Sequence, residues 1–190
     1  MKKDKTFLIG ILASVVALSV SFNIANAKAI ESTPKKEDFA RYTAQAVFLL
    51  SVENNDHYTE EDIKVLSKYE DHVQFNDLEL KEFLGACGFK GRRLMEAWAI
   101  VKKESMGNAL SFNGNSKTGD KSYGLFQINM IGDLNADRKE KYDLDYASQL
   151  LNPVINCQVA YLMSKNGENW GPWKGLTSRT REFMYKFPKD

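Results

Sequence analysis

The sequence predicts a mainly α-helical domain with one small irregular or β insert. Apolar residues recur at helical spacing in several segments that open on capping residues. Between them, residues 106–133 change texture to Gly, Asn, Ser and Asp, followed by a short alternating run. The chain has 190 residues, 43% of them hydrophobic, enough to fill one core. Its 27% charged and 12% aromatic content excludes disorder and low-complexity sequence. Two cysteines are too few for a disulfide-dense mini-scaffold.

Each element follows from local chemistry. Residues 37–52 place Phe39, Tyr42, Ala46, Leu49 and Leu50 at helical spacing, and 53–56 (Glu-Asn-Asn-Asp) read as a loop. Thr59 with Asp62 forms a capping-box start for a helix ending at Lys68. Asn76 or Asp77 caps a helix over 78–86, which Gly85 and Gly88 weaken or end. Gly91 opens a helix over 92–105. Asn152-Pro153 is an N-cap and N1 pair for a helix over 154–164, closed by Asn166-Gly167. Trp170-Gly171-Pro172-Trp173 then reads as a rigid aromatic turn.

Residues 1–27 read as an export leader. A positive start (Lys2, Lys3, Lys5) precedes an apolar run over 7–20 and a small-x-small site at Ala25-Asn26-Ala27. Cleavage after Ala29 fits nearly as well, and the other reading is an uncleaved membrane anchor. The expected organisation is a leader over 1–27, an N-terminal helical segment over 28–84 that packs on or extends the core, and a main domain over 85–190. Residues 28–86 carry 7 basic and 13 acidic side chains, whereas 87–190 carry 16 and 11. The basic C-terminal part suits a polyanionic polymer. A formal charge of +1 argues against a globally basic nucleic-acid binder. Export would put Cys87 and Cys157 in an oxidising compartment, which invites one disulfide; two buried thiols are the other reading. His57 and His72 lack metal-ligand spacing, and the acidic cluster 53–62 lacks the glycine and spacing of a calcium loop.

The residue that points to chemistry is Glu104. At about 100° per residue, Leu94, Ala97, Trp98, Ile100 and Val101 share one arc of their helix, and Glu104 falls inside it. Lys102 and Lys103 fall outside. Desolvation of a carboxyl at the end of an apolar stripe favours its protonated form, which is what a general acid needs to protonate a glycosidic oxygen. A helix-end glutamate reaching water is the plainer alternative.

Glu104-Ser105 is followed by a Gly/Asn-rich stretch and then by Gly119-Asp120-Lys121-Ser122-Tyr123-Gly124-Leu125-Phe126-Gln127-Ile128-Asn129-Met130. Asn152-Pro153, Ala160-Tyr161-Leu162 and the aromatic turn come next. This order resembles the lysozyme-like superfamily, in particular its lytic transglycosylase and goose-type lysozyme branch, over about residues 84–176. The resemblance implies a mainly helical lobe flanking a glycan groove, with a single essential glutamate at Glu104. That residue would cut the bond between N-acetylmuramic acid and N-acetylglucosamine in peptidoglycan.

Other roles follow from the same resemblance. Ser105, next to the glutamate, would hydrogen-bond locally. Ser122, Tyr123 and Gly124 would bring backbone close to sugar, with Gly124 leaving room for the approach. Gln127 and Asn129 would offer amides, Tyr161 would line the groove, and Trp170 and Trp173 would stack on sugar rings. Core packing explains Tyr161 and the tryptophans equally well.

Two chemistries fit. A transglycosylase needs one carboxylate and leaves a 1,6-anhydro end. A hydrolase needs a second one to activate water. Asp120 matches an acidic position of goose-type lysozymes, yet Gly119-Asp120 also reads as a turn. Asn129 stands where those enzymes have a further acidic residue. The expected protein is therefore an exported murein-cleaving enzyme of the cell envelope or its exterior. It would have glycan strands as partner, no metal or organic cofactor, no nucleic acid, and membrane contact only through an uncleaved leader. The reading from another class is a non-catalytic wall-binding module.

Overall fold

A computed structural model describes residues 58–115 and 120–189, all within the unit Ala40–Asp190. The leader over 1–27, the helix over 37–52, the loop over 53–56, His57 and Gly119 lie outside the described residues. The described part is mainly helical with one small antiparallel sheet. Its elements are α1 (Glu60–Lys68), α2 (Asp77–Ala86), α3 (Gly91–Glu104), β1 (Phe112–Asn113), β2 (Ser122–Tyr123), β3 (Ile128–Asn129), α4 (Asp133–Lys141), α5 (Pro153–Met163) and α6 (Ser178–Met184). Single 3-10 turns cover Ala147–Leu151 and Gly171–Trp173.

The caps form as the sequence dictates. Thr59 and Asp62 make a reciprocal capping box on α1. Asn76 and Glu79 do the same on α2, so Asn76 is the cap and Asp77 the first helical residue. Asn152 accepts from the amides of Val154 and Ile155 ahead of Pro153. These bonds satisfy amides that have no partner inside their own helix.

Helix α3 is the centre of the domain. Residues 96–101 are buried without a break, because α2 and α6 pack against it. A helix buried on most sides must satisfy any polar group it carries. Glu96 is such a group: it takes Arg92 Nε at 2.8 Å and the Trp170 indole N–H at 3.0 Å. Leu66, Tyr69, Phe75, Leu80, Phe83 and Leu84 fill the same core as Trp98, Ile100, Phe126 and Ile155. The segment 58–84 is therefore part of this core.

The sheet order is β1-β2-β3. Phe112 pairs with Tyr123 and Asn113 with Ser122; Ser122 pairs with Asn129 and Tyr123 with Ile128. Helices α4 and α6 carry too few apolar residues at helical spacing to be read from sequence; α4 contains no buried residue.

Candidate active site

Glu104 is the last residue of α3. Its side chain is 24% exposed, between the core stripe and solvent. The helix stops there because the chain turns left-handed at Met106 (φ 56°) and Gly107 (φ 83°). Ser105 seals the end: its hydroxyl donates to the Val101 carbonyl at 3.2 Å and accepts from the Gly107 amide at 3.3 Å. Ser105 is itself buried, so its bonding is local.

One oxygen of Glu104 is 2.7 Å from the Lys103 ammonium, whose side chain is only 15% exposed. The helical wheel put Lys102 and Lys103 outside the buried arc, and here the structure corrects it. Both stems lie along the domain and their heads find partners. Lys102 reaches Asp77 at 2.7 Å, and Lys103 reaches Glu104 and the Trp173 carbonyl, the latter at 3.4 Å. Lys103 is the neighbour of Glu104 that sequence reasoning missed, because a wheel ignores what packs on the helix end.

Asp120 ties the insert together. One carboxylate oxygen accepts from Asn113 Nδ2 at 2.9 Å; the other accepts from the Ser122 hydroxyl at 2.7 Å and Asn129 Nδ2 at 3.2 Å. These partners stand on β1, β2 and β3, so a single carboxylate bridges all three strands. Ser122 is buried in this role. Asn129 also accepts from the Ile131 amide at 2.9 Å, and its carbonyl takes Arg138.

Gly124 lies at φ 73°. A Cβ there would come within 2.1 Å of the Leu150 carbonyl and 2.3 Å of Asn156 Nδ2. The room at this glycine is thus filled by the protein's own chain. Asn156, wholly buried, donates to the carbonyls of Tyr123 (2.9 Å) and Leu150 (2.8 Å) and accepts from the Phe126 amide (2.8 Å). Gln127 donates to the Ser111 and Gly124 carbonyls, both at 2.9 Å, so its amide shapes the turn. The Tyr123 ring is partly exposed and packs on Phe112 at 4.8 Å between centroids. Phe112 is 54% exposed, and its ring lies over Gly114.

The sequence-predicted stackers lie elsewhere. Trp170 and Trp173 are each 6% exposed. Their indole N–H groups donate to Glu96 (3.0 Å) and the Phe126 carbonyl (2.6 Å), so both are core residues with no open face for a sugar. Buried tryptophans need such partners. Tyr161 packs edge-on against Phe89 and beside Gly88; burial raises its pKa, against a smaller lowering by Arg93. Cys87 and Cys157 are free thiols, both fully buried. Burial, and then a hydrogen bond with Cys87, push the Cys157 thiol well up.

A helical lobe, a three-strand insert and a glutamate at the end of the central helix together define a class. Residues 82–175 match the family model of the lysozyme-like domain. Over this stretch, just under half of its length, the chain is similar to the lysozyme-like domain, and the likeness points to cleavage of peptidoglycan glycan in general. Neither the curated proteins nor the solved structures include a match to the chain.

Proposed function

We propose that this protein is an exported lytic transglycosylase with Glu104 as its acid and base. The observation that carries the choice of chemistry is Asp120. Both of its oxygens are engaged by Asn113, Ser122 and Asn129, which fits a strand-tying role better than activation of water. That leaves Glu104 as the single carboxylate at work.

One carboxylate suffices for the following steps. Glu104, protonated, gives its proton to the glycosidic oxygen, and the bond from that oxygen to C1 of N-acetylmuramic acid breaks. The 6-hydroxyl of the same sugar then bonds to C1 and returns its proton to Glu104. The products are a new N-acetylglucosamine end and a 1,6-anhydro-muramyl end, with no water consumed. Phe112 and Tyr123 supply the exposed aromatic face for a pyranose ring, the part the sequence reading gave to Trp170 and Trp173.

The leader over 1–27 directs the protein to the envelope or beyond, where a thiol oxidant of that compartment would take two electrons and two protons from the free thiols of Cys87 and Cys157 and leave a disulfide. The loop of about 70 residues would then contribute roughly 4 kcal/mol in the chain-entropy model. Alkylation of the unfolded secreted protein, with and without reductant, reads the state of these thiols.

Mass spectrometry of borohydride-reduced digests of purified peptidoglycan tests the reaction. Non-reducible anhydro-muramyl ends are expected. Reducible ends would mean hydrolysis and would return Asp120 to the role of base. Binding without cleavage, unchanged in Glu104→Gln, would mean a wall-binding module.

A further inference from the structure

We propose that Lys103 is a positioning residue for Glu104, an inference that rests on Glu104 being the acid and base. Neighbours i and i+1 on a helix diverge by about 100°, so helix geometry alone does not bring their heads together. Here the Lys103 ammonium is 2.7 Å from one Glu104 oxygen, and a second contact, from outside the helix, holds it there. That contact is the Trp173 carbonyl at 3.4 Å. Trp173 is itself fixed, with its indole N–H on the Phe126 carbonyl at 2.6 Å and only 6% of its surface exposed. The other nearby ammonium, on Lys102, is engaged by Asp77 and the Trp98 ring.

Lys103 supplies Glu104 with the opposing charge within hydrogen-bond reach, in a site where both side chains are largely screened from solvent. It takes one carboxylate oxygen and leaves the other to address the glycosidic bond. Holding the acid in this orientation acts on turnover and requires no contact with the sugar.

The experiment is steady-state kinetics of full-length Lys103→Met, Lys103→Arg and Glu104→Gln on soluble glycan strands, with melting temperatures alongside. Lys103→Met is expected to lower kcat by about 10- to 100-fold, the scale of a misplaced catalytic group, with KM within about twofold. Lys103→Arg, which keeps the charge and donors, is expected to recover most of the loss. A purely structural lysine would move the melting temperature and leave kcat intact. Wild-type kcat in Lys103→Met, or a change in KM alone, overturns the proposal. If the Met variant does not fold, Lys103→Gln, which keeps a donor for the Trp173 carbonyl, is read by the same criteria. An active Glu104→Gln would instead remove the reading on which the inference rests. An inactive Glu104→Gln beside a fully active Lys103→Met would remove this inference alone.

Discussion

The backbone amide of Phe75 donates to the carbonyl of Gly107 at 2.9 Å, three residues beyond Glu104. The neighbouring Ala109 amide donates to the Val73 carbonyl at 2.8 Å, and Gln74 Nε2 donates to the Met106 carbonyl at 3.0 Å. A strand-like segment ahead of the matched family region thus braces the loop that follows the candidate acid. Gly107 permits the approach: a Cβ there would lie 2.8 Å from the Phe75 carbonyl, at φ 83°. Gly107→Ala is expected to cost about 1–3 kcal/mol from backbone strain, measured as a lower urea midpoint.

Asn156 is the side chain on which the turn after Tyr123 depends. Asn156→Ala leaves the Phe126 amide and the Tyr123 and Leu150 carbonyls without this partner. Each buried unsatisfied group costs about 1–3 kcal/mol, so a loss of at least about 3 kcal/mol is expected in denaturant unfolding. A loss below 1 kcal/mol would mean that water or another side chain replaces the amide.

Asp120 separates the two chemistries. Asp120→Asn is expected to keep turnover within about tenfold and to keep anhydro ends as product. Loss of a true general base costs roughly 10²–10⁴-fold. Asp120→Ala removes the acceptor for all three strands and is expected to lower the melting temperature. Product mass spectrometry and calorimetry read the two effects.

Phe112 is half exposed and supported by the Tyr123 ring. Phe112→Ala is expected to raise KM on glycan strands about fivefold, equivalent to about 1 kcal/mol, with kcat unchanged. Unchanged KM would exclude the ring as a sugar platform.

Glu82 carries a pH dependence. The Tyr69 hydroxyl, donating at 2.5 Å, and then Lys68, at 2.9 Å, hold its carboxyl below the ordinary 4.5. A depressed folded pKa means that the unfolded chain takes up the proton first as pH falls. The stabilisation is therefore present above pH 4.5 and lost as pH drops through the folded value. Urea midpoints of wild type and Glu82→Gln should differ at pH 7 and converge below pH 4.5. A gap that persists once the carboxyl is protonated in both states would count against the Tyr69 and Lys68 contacts as its source.

The parts of the fold that sequence made legible are those built by short-range rules. Thr59 with Asp62, the cap at Asn76 or Asp77, and Asn152 before Pro153 act within four residues, so their chemistry is readable without a fold. Helix α4 was not legible because it buries nothing and leaves no apolar period. At the candidate site, the place of Glu104 at the end of an apolar helix was legible from its position on the arc. Lys103 was not, because its partner Trp173 is distant in the chain and meets it only after packing.

By itself, then, the sequence determined the mainly helical class, the starts of α1, α2, α3 and α5, the irregular insert and the position of the glutamate, since propensity, capping and periodicity act between near neighbours. Only the tertiary structure decided which polar groups face one another. It turned Trp170 and Trp173 inward onto Glu96 and Phe126, filled the space at Gly124 with Leu150 and Asn156, and set Lys103 against Glu104. These pairings depend on elements that meet across the core, and a buried donor or acceptor is satisfied by whatever partner the packing brings.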